Sequence, residues 1–218
     1  MKNRLSLLAG PYVVWMALFV VAPIFLVVVY AFSSAGGGFT LDNFAKMSTY
    51  WVVFVRSFEL ALIATFICLL IGYPLAYIMA KEGPGFQRIA MVLIMLPMWM
   101  NFLLRTYSWM FLLEKRGLIN SFLGLFGIGP FQMINTQGAI VLGMVYNFLP
   151  FMILPILSVL EKIDPKVIEA AQDLGANSFT VFRRVTFPLS LPGVLSGVTM
   201  VFIPSVSTFV ISRLLGGG

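Results

Sequence analysis

Histidine is absent from the 218 residues, cysteine occurs once, and charged side chains make up only 10% of the chain. Without histidine there is no imidazole metal ligand and no imidazole acid–base chemistry near neutral pH. With Cys68 alone, inside an apolar run, no intramolecular disulfide can form. The scarcity of charge excludes a soluble globule of this size, because there is too little polar surface to coat one. No Gly-x-x-x-x-Gly-Lys-[Ser/Thr] run is present, so the usual phosphate cradle for ATP is missing. What is abundant is apolar: hydrophobic residues are 60% of the chain and the mean hydropathy is +0.99. The formal net charge of +6 comes from basic residues scattered between apolar runs, not gathered with aromatics into a nucleic-acid-binding stripe. Lipid is the solvent for most of this chain.

Five stretches are long and nearly free of charge: Leu7 to Phe32, Leu60 to Ala80, Ile89 to Leu113, Thr136 to Leu160, and Phe187 to Ser212. At roughly 1.5 Å of rise per residue each covers the hydrocarbon thickness of about 30 Å. They lack period-two alternation and are too long for barrel strands, so helices are the structure that satisfies the backbone in lipid. The reading is an all-α membrane protein, a polytopic helical bundle with five spans. Met1-Lys2-Asn3-Arg4 ahead of the first run has the look of a signal peptide. That run is too long for a cleaved segment and lacks a small-residue cleavage site, so it reads as a retained span.

Orientation follows from Lys and Arg. An N-terminus inside places eight of them inside (Lys2, Arg4, Lys81, Arg88, Lys162, Lys166, Arg183, Arg184) against four outside (Lys46, Arg56, Lys115, Arg116). The bias predicts a cytoplasmic N-terminus. The outer segments Ser33 to Glu59 and Glu114 to Asn135 are long enough for interfacial helices, broken at Gly36-Gly37-Gly38 and Gly127-Ile128-Gly129-Pro130. An odd span number leaves Gly218 outside, directly after Leu214-Leu215-Gly216-Gly217. The expectation is one membrane domain over 1–218, incomplete at its C-terminal end.

The inner segment 161–188 carries the most information. Asp164 is placed to cap a helix whose first position is Pro165, where a missing N–H costs nothing. Ile168, Ala171, Leu174 and Gly175 fall on or near one face, Lys166, Glu169, Gln172 and Asp173 on the other, and Gly175 suits a left-handed cap. Asn177 or Ser178 caps a second short helix through Phe179, Phe182, Arg183, Arg184 and Val185, before Pro188 and Pro192 turn the chain into the last span. Two readings fit this pattern: a rigid protrusion that inserts into a groove on another protein, with Ala170 and Ala171 allowing close approach beside Glu169, or an amphipathic helix lying on the bilayer.

Glu169-Ala170-Ala171, then Gly175, then Phe187-Pro188-Leu189 and Pro192-Gly193 resemble the Glu-Ala-Ala loop of ATP-binding cassette importer permeases. Departures are slight, chiefly Phe187, where the pattern more often has Leu before Pro188. Leu104-Arg105-Thr106-Tyr107-Ser108-Trp109, Gly117-Leu118-Ile119-Asn120, Tyr146-Asn147-Phe148-Leu149-Pro150-Phe151 with Leu154-Pro155, and Leu214-Leu215-Gly216-Gly217 are similar to the spermidine and putrescine importer permeases. The resemblance implies a coupling loop (Asp164, Pro165, Glu169, Ala170, Ala171, Asp173, Gly175, Arg183) docking into a separate cytoplasmic ATPase. It also implies a sixth span, a second permease subunit, a dimeric ATPase that holds ATP and Mg so that this chain binds no cofactor, and an extracytoplasmic solute-binding protein.

Polar groups inside the spans are candidates for the pathway, since an ionised group at the bilayer centre costs roughly 2.5–3.5 kcal/mol on insertion scales. Arg105 lies about 12 Å from Leu113 along its span, and Glu59 enters the second span from the same side; they pair or line an outer vestibule, or Arg105 snorkels. Trp109 lies one turn beyond Arg105. Tyr146 and Asn147, mid-span beside Pro150, line the pathway or bond a neighbouring helix. Pro23, Pro74, Pro97, Pro150 or Pro155, and Pro204 put a kink site in every span. A secondary carrier would need carboxylates deep in the spans, and a lipid-modifying enzyme would need clustered His, Asp or Glu; neither is present in the sequence. An importer permease for another small solute remains the alternative to polyamines.

Overall fold

The computed structural model describes residues 10–34, 36 and 38–216. Lys2 and Arg4 of the orientation count, the start of the first predicted span at Leu7, and Gly37, Gly217 and Gly218 lie outside the described residues. Contacts divide the chain into two units, one running to Val55 and the other starting at Arg56.

In the first unit, α1 (Gly10–Ala31) has no buried residue and is apolar all round, with Tyr12, Phe19 and Phe25 each more than 60% exposed. Such a helix belongs in lipid. It contains a wide π-helical turn over Ala17–Val21, closed by the Ala22 N–H donating to the Ala17 carbonyl, directly before Pro23. A proline ring collides with the carbonyl four residues back, and one extra residue in the turn relieves the collision. Beyond α1 comes α2 (Asp42–Met47). Asn43 Nδ2 reaches back from it to the carbonyls of Tyr30, Ala31 and Ser33 at 3.1–3.3 Å, supplying donors that the end of α1 lacks.

The second unit takes in most of α3 (Trp51–Lys81) and then α4 (Pro84–Met95), α5 (Phe102–Leu113), α6 (Leu118–Gly124), α7 (Gln137–Leu160), α8 (Pro165–Asp173), α9 (Ser178–Ser207) and α10 (Phe209–Gly216). Among the described residues there is no strand, only a single bridge between Ser33 and Phe39. Among the described residues four helices, α1, the one ending at Lys81, α7 and α9, are long and apolar enough to cross a bilayer, and the bent pair Pro84–Trp99 and Phe102–Gly124, which takes in α4, α5 and α6, is a fifth candidate.

Helix α7 is the centre of this unit. Around its second half, Met152, Ile153, Ile156, Leu157 and Leu160 pack with Cys68, Tyr73, Ala76 and Met79 of α3 and Val194 and Val201 of α9. Around its first half, Ala139, Ile140 and Met144 pack with Leu60 and Ala64 of α3, Leu113 of α5, and Ile211 and Leu215 of α10. Between apolar helices in lipid the attraction comes from close packing, which small residues permit. Gly193 and Gly197 of α9 supply it: a Cβ on Gly193 would stand 2.8 Å from the Pro155 carbonyl oxygen, and one on Gly197 2.8 Å from Met152 Sδ.

Four sequence-based expectations are corrected. Ile89 to Leu113 is not one straight span: the chain breaks at Met100–Asn101 and bends by 92° between the two parts. Pro97 tightens the end of the first part into a 3₁₀ turn, and Asn101 restarts the helix by accepting from the Leu103 and Leu104 N–H groups. The last span does not run unbroken to Ser212, because α9 ends at Ser207 and Thr208 is extended. At the other end of α9, Pro188 and Pro192 do not turn the chain. The second helix of the 161–188 segment runs straight into the span through a second π-helical turn, Phe182–Thr186, placed like the first directly before a residue–proline pair. The second span begins earlier than Leu60, since α3 starts at Trp51 and carries Arg56 and Glu59 on its exposed surface.

Replacing Gly193 by Leu should force α7 and α9 apart and destabilise the protein by about 1–3 kcal/mol or more, the cost of overpacking. Thermal unfolding of the detergent-solubilised protein reads this, and an unchanged midpoint would mean the close contact is dispensable.

Candidate functional site

Segment 161–188 is held by its own hydrogen bonds. Asp164 accepts from the Lys166 N–H at 3.0 Å, and Pro165 takes the first position of α8. At the far end Gly175 has φ +83°, where only glycine sits without strain. The Ala176 N–H reaches the Ala171 carbonyl and the Gly175 N–H the Gln172 carbonyl, the paired bonds of a Schellman cap. Asn177 then accepts from the Thr180 N–H at 2.8 Å and starts α9. Two helices are therefore joined by four residues, Leu174 to Asn177, with every turn fixed.

Of the predicted loop residues, Asp164, Pro165, Glu169, Ala170, Asp173, Gly175 and Arg183 are exposed and Ala171 is half-buried. The two-faced pattern holds for Ile168 and Ala171, which turn partly inward, but Leu174 is 89% exposed. The cap explains it: Leu174 is the last half-helical residue, and the reversal at Gly175 swings its side chain off the inward stripe. Leu174 and Phe179, 70% exposed, give this charged segment two apolar points. Behind α8 a cavity of about 240 Å³ is lined by Tyr77, Lys81, Glu161, Gln172 and Thr186, among others, so the segment stands partly clear of the helix ends beneath it.

Arg105, Trp109 and Tyr146 are brought together. Arg105 is 8% exposed, and its guanidinium donates from Nη1 to the Pro97 carbonyl at 2.7 Å, across the break between α4 and α5. It lies 5.9 Å from the Phe102 ring centre and 5.8 Å from that of Tyr146. Trp109 meets Tyr146 edge to face at 5.4 Å. Arg105 does not pair with Glu59, which is exposed on α3; nor does it snorkel, because its guanidinium is turned to the Pro97 carbonyl, which also accepts from the Met100 N–H at 3.3 Å. Asn147 is 2% exposed and donates to the Gly143 carbonyl of its own helix at 2.7 Å. Among the described residues, Arg105 Nε and Asn147 Oδ1 are the buried side-chain polar atoms with no hydrogen-bond partner.

Sequence reasoning missed a cluster at the Lys81 end of α3. Tyr73, Tyr77 and Lys81 are spaced by four and so share one face, with the Lys81 ammonium 4.4 Å from the Tyr77 ring centre. That face meets Phe182, Phe187 and Ser190. The spacing in α3 was readable; the partners were not, because they depend on how α9 enters the bundle.

Residues 72–218 match the family described as binding-protein-dependent transport system inner membrane component. The chain belongs to this family. It is the membrane-embedded permease subunit of an importer, a transport component of the inner membrane that works with a solute-binding protein, an ATPase and a partner permease. Among similar proteins, the spermidine/putrescine transport system permease protein PotB of Haemophilus influenzae is 39% identical over 213 residues, covering 93% of this chain and 74% of that protein. The protein of the same name from Escherichia coli K12 is 36% identical, covering 93% and 78%. Of solved structures, a bacterial ABC transporter involved in the import of the acidic polysaccharide alginate aligns with TM-score 0.73 at 19% identity, over 98% of this chain and 78% of the matched one. That likeness establishes the fold.

Asn177→Ala should lose about 1 kcal/mol of capping and speed amide hydrogen exchange over residues 178–181 without affecting α7. Arg105→Met should leave the Pro97 carbonyl only its bond from the Met100 N–H and lower stability by about 1.5–3 kcal/mol, the range for a hydrogen bond from a charged group; equal thermal midpoints would remove the bond across the break as a structural tie.

Proposed function

We propose that this permease pairs with a second permease subunit over a dimeric cytoplasmic ATPase, which binds ATP and Mg, and imports polyamines such as spermidine and putrescine delivered by an extracytoplasmic binding protein. The whole of 1–218 serves as one permease domain with its N-terminus in the cytoplasm. Asp164, Pro165, Glu169, Ala170, Ala171, Asp173, Gly175 and Arg183 form the coupling loop.

The observation that carries this reading is a segment fixed at every turn yet exposed along its length. A rigid, exposed knob can transmit displacement, whereas a flexible one would absorb it. Glu169 offers a carboxylate for a charge-assisted hydrogen bond, Ala170 lets a partner backbone approach, and Leu174 fills an apolar pocket. Closure of the ATPase on ATP moves the knob, the spans open outward, the solute enters, and hydrolysis resets them. The pathway is lined from Glu59, Arg105, Trp109, Tyr146 and Asn147. The polyamine assignment draws on the names of the relatives. Import of another small solute is the second reading, favoured by the buried Arg105 cation, which stands on the pathway without a carboxylate to screen it from a polycation.

Calorimetry of spermidine and putrescine binding to the cognate external protein, with ATP-driven uptake into vesicles holding the full complex, tests both. Uptake of a different solute with no polyamine binding would replace the substrate and leave the importer intact. Glu169→Lys and Gly175→Val should each cut uptake by roughly tenfold or more while the permease still inserts; normal uptake in both variants would overturn the coupling role.

A further inference from the structure

Helix α7 leads directly into the 161–188 segment and α9 leads directly out of it, so both are moved by it through the backbone. Helix α3 has no such continuity. Whatever reaches α3 from the segment has to pass through side-chain contacts, and those contacts are concentrated at Tyr73.

The Tyr73 hydroxyl is 2.9 Å from Ser190 Oγ. Ser190 Oγ is also 2.9 Å from the Phe187 carbonyl oxygen, which can only accept. Ser190 has one proton; it goes to Phe187, so Tyr73 donates to Ser190. Both side chains are buried, Tyr73 at 8% and Ser190 at 0% exposure, where a directed hydrogen bond has no water to compete with it. Around this bond Phe182 presents itself edge-on to Tyr73 at 5.9 Å and to Tyr77 at 5.4 Å, and Phe187 lies 5.7 Å from Tyr73.

The position of Phe182 matters. It opens the π-helical turn Phe182–Thr186, whose wide ring is closed by the Phe187 N–H on the Phe182 carbonyl. A wide turn is a place where a helix yields. The Tyr73 contacts bracket it, Phe182 on its loop side and Phe187 with Ser190 on its span side, so α3 is gripped on both sides of the one yielding point between loop and membrane. The loop helices need none of these contacts for their own integrity, which rests on Asp164, Gly175 and Asn177.

We propose that Tyr73, acting through Ser190 and Phe182, is the positioning residue that makes α3 follow the 161–188 loop, so that α3, α7 and α9 respond to it together. This rests on the reading of that loop as the contact with the ATPase. The test uses the whole transporter in vesicles with its binding protein, measuring uptake and ATP hydrolysis in the same sample. Tyr73→Phe keeps the ring and removes the hydroxyl; Phe182→Leu removes the ring that bridges to the loop. For each, solute moved per ATP hydrolysed should fall roughly two- to tenfold with hydrolysis itself maintained. Ser190→Ala should match Tyr73→Phe and add nothing to it, because the two share one bond. Phe182→Tyr should restore the ratio.

An unchanged ratio in Tyr73→Phe and Phe182→Leu would overturn the proposal, as would a parallel fall of uptake and hydrolysis, which marks general damage to the complex. Should Phe182→Leu fail to assemble, Tyr73→Phe and Ser190→Ala decide the question alone. Wild-type vesicles without ATP-driven uptake would sink the importer reading itself, a result distinct from wild-type uptake with unaltered variants.

Discussion

In hydrocarbon a backbone carbonyl or N–H without a partner finds no water to replace it, and each proline in a span threatens to create one. Two devices recur. Before Pro23 and Pro188 the helix widens by one residue, so the chain keeps bonding around the ring. At Pro97 and Pro204 the helix ends shortly afterwards, and side chains add bonds to carbonyls there: Arg105 to that of Pro97, which also accepts from the Met100 N–H, and the Ser207 hydroxyl, at 3.2 and 3.3 Å, to those of Ile203 and Pro204. Pro74, Pro150, Pro155 and Pro192 stay inside unbroken helices. A charged residue deep in the bundle, which looks anomalous by composition, thus has a backbone partner at the break.

The two prominent features of the second unit obey opposite rules. Near the breaks, Arg105, Trp109, Tyr146 and Asn147 are wholly or partly buried among aromatics, and two of their polar atoms remain without partners. In 161–188 the turn-forming polar groups at Asp164 and Asn177 are satisfied locally, while the side chains of Glu169 and Leu174 are turned outward. A region with unmet hydrogen-bonding capacity suits transient contact with something that passes. A region complete in itself suits durable contact with something that holds.

Much of this was legible in the sequence. The cap at Asp164 and the left-handed Gly175 are set by local chemistry and stand as read, and of the two candidates Asn177 and Ser178 the cap is Asn177, because residues within three or four positions decide them. Hydropathy located the apolar runs, since lipid exposure is a property of each residue. It could not see the 92° bend, because Met100 and Asn101 interrupt a helix without interrupting hydrophobicity. Likewise Pro188 and Pro192 read as a turn, whereas the backbone accommodates them within α9. For Arg105 the sequence left open a pair with Glu59, a place in an outer vestibule, or snorkelling; its bond to the Pro97 carbonyl was not visible, because it depends on the break between α4 and α5. Gly193 and Gly197, spaced by four, were a signal for the α7–α9 contact that spacing alone could have supplied.

Helix α9 is one continuous helix from Ser178 to Ser207 with its wide turn near one end, at Phe182–Thr186. Beyond that turn the stretch from Pro188 to Ser207 makes an arm of about 30 Å at the usual rise. A tilt of about 10° at the loop end of this arm would carry the far end through about 5 Å by simple geometry. That displacement ends at Thr208, where extended backbone separates the arm from α10, whose Ile211 and Leu215 stay packed on α7.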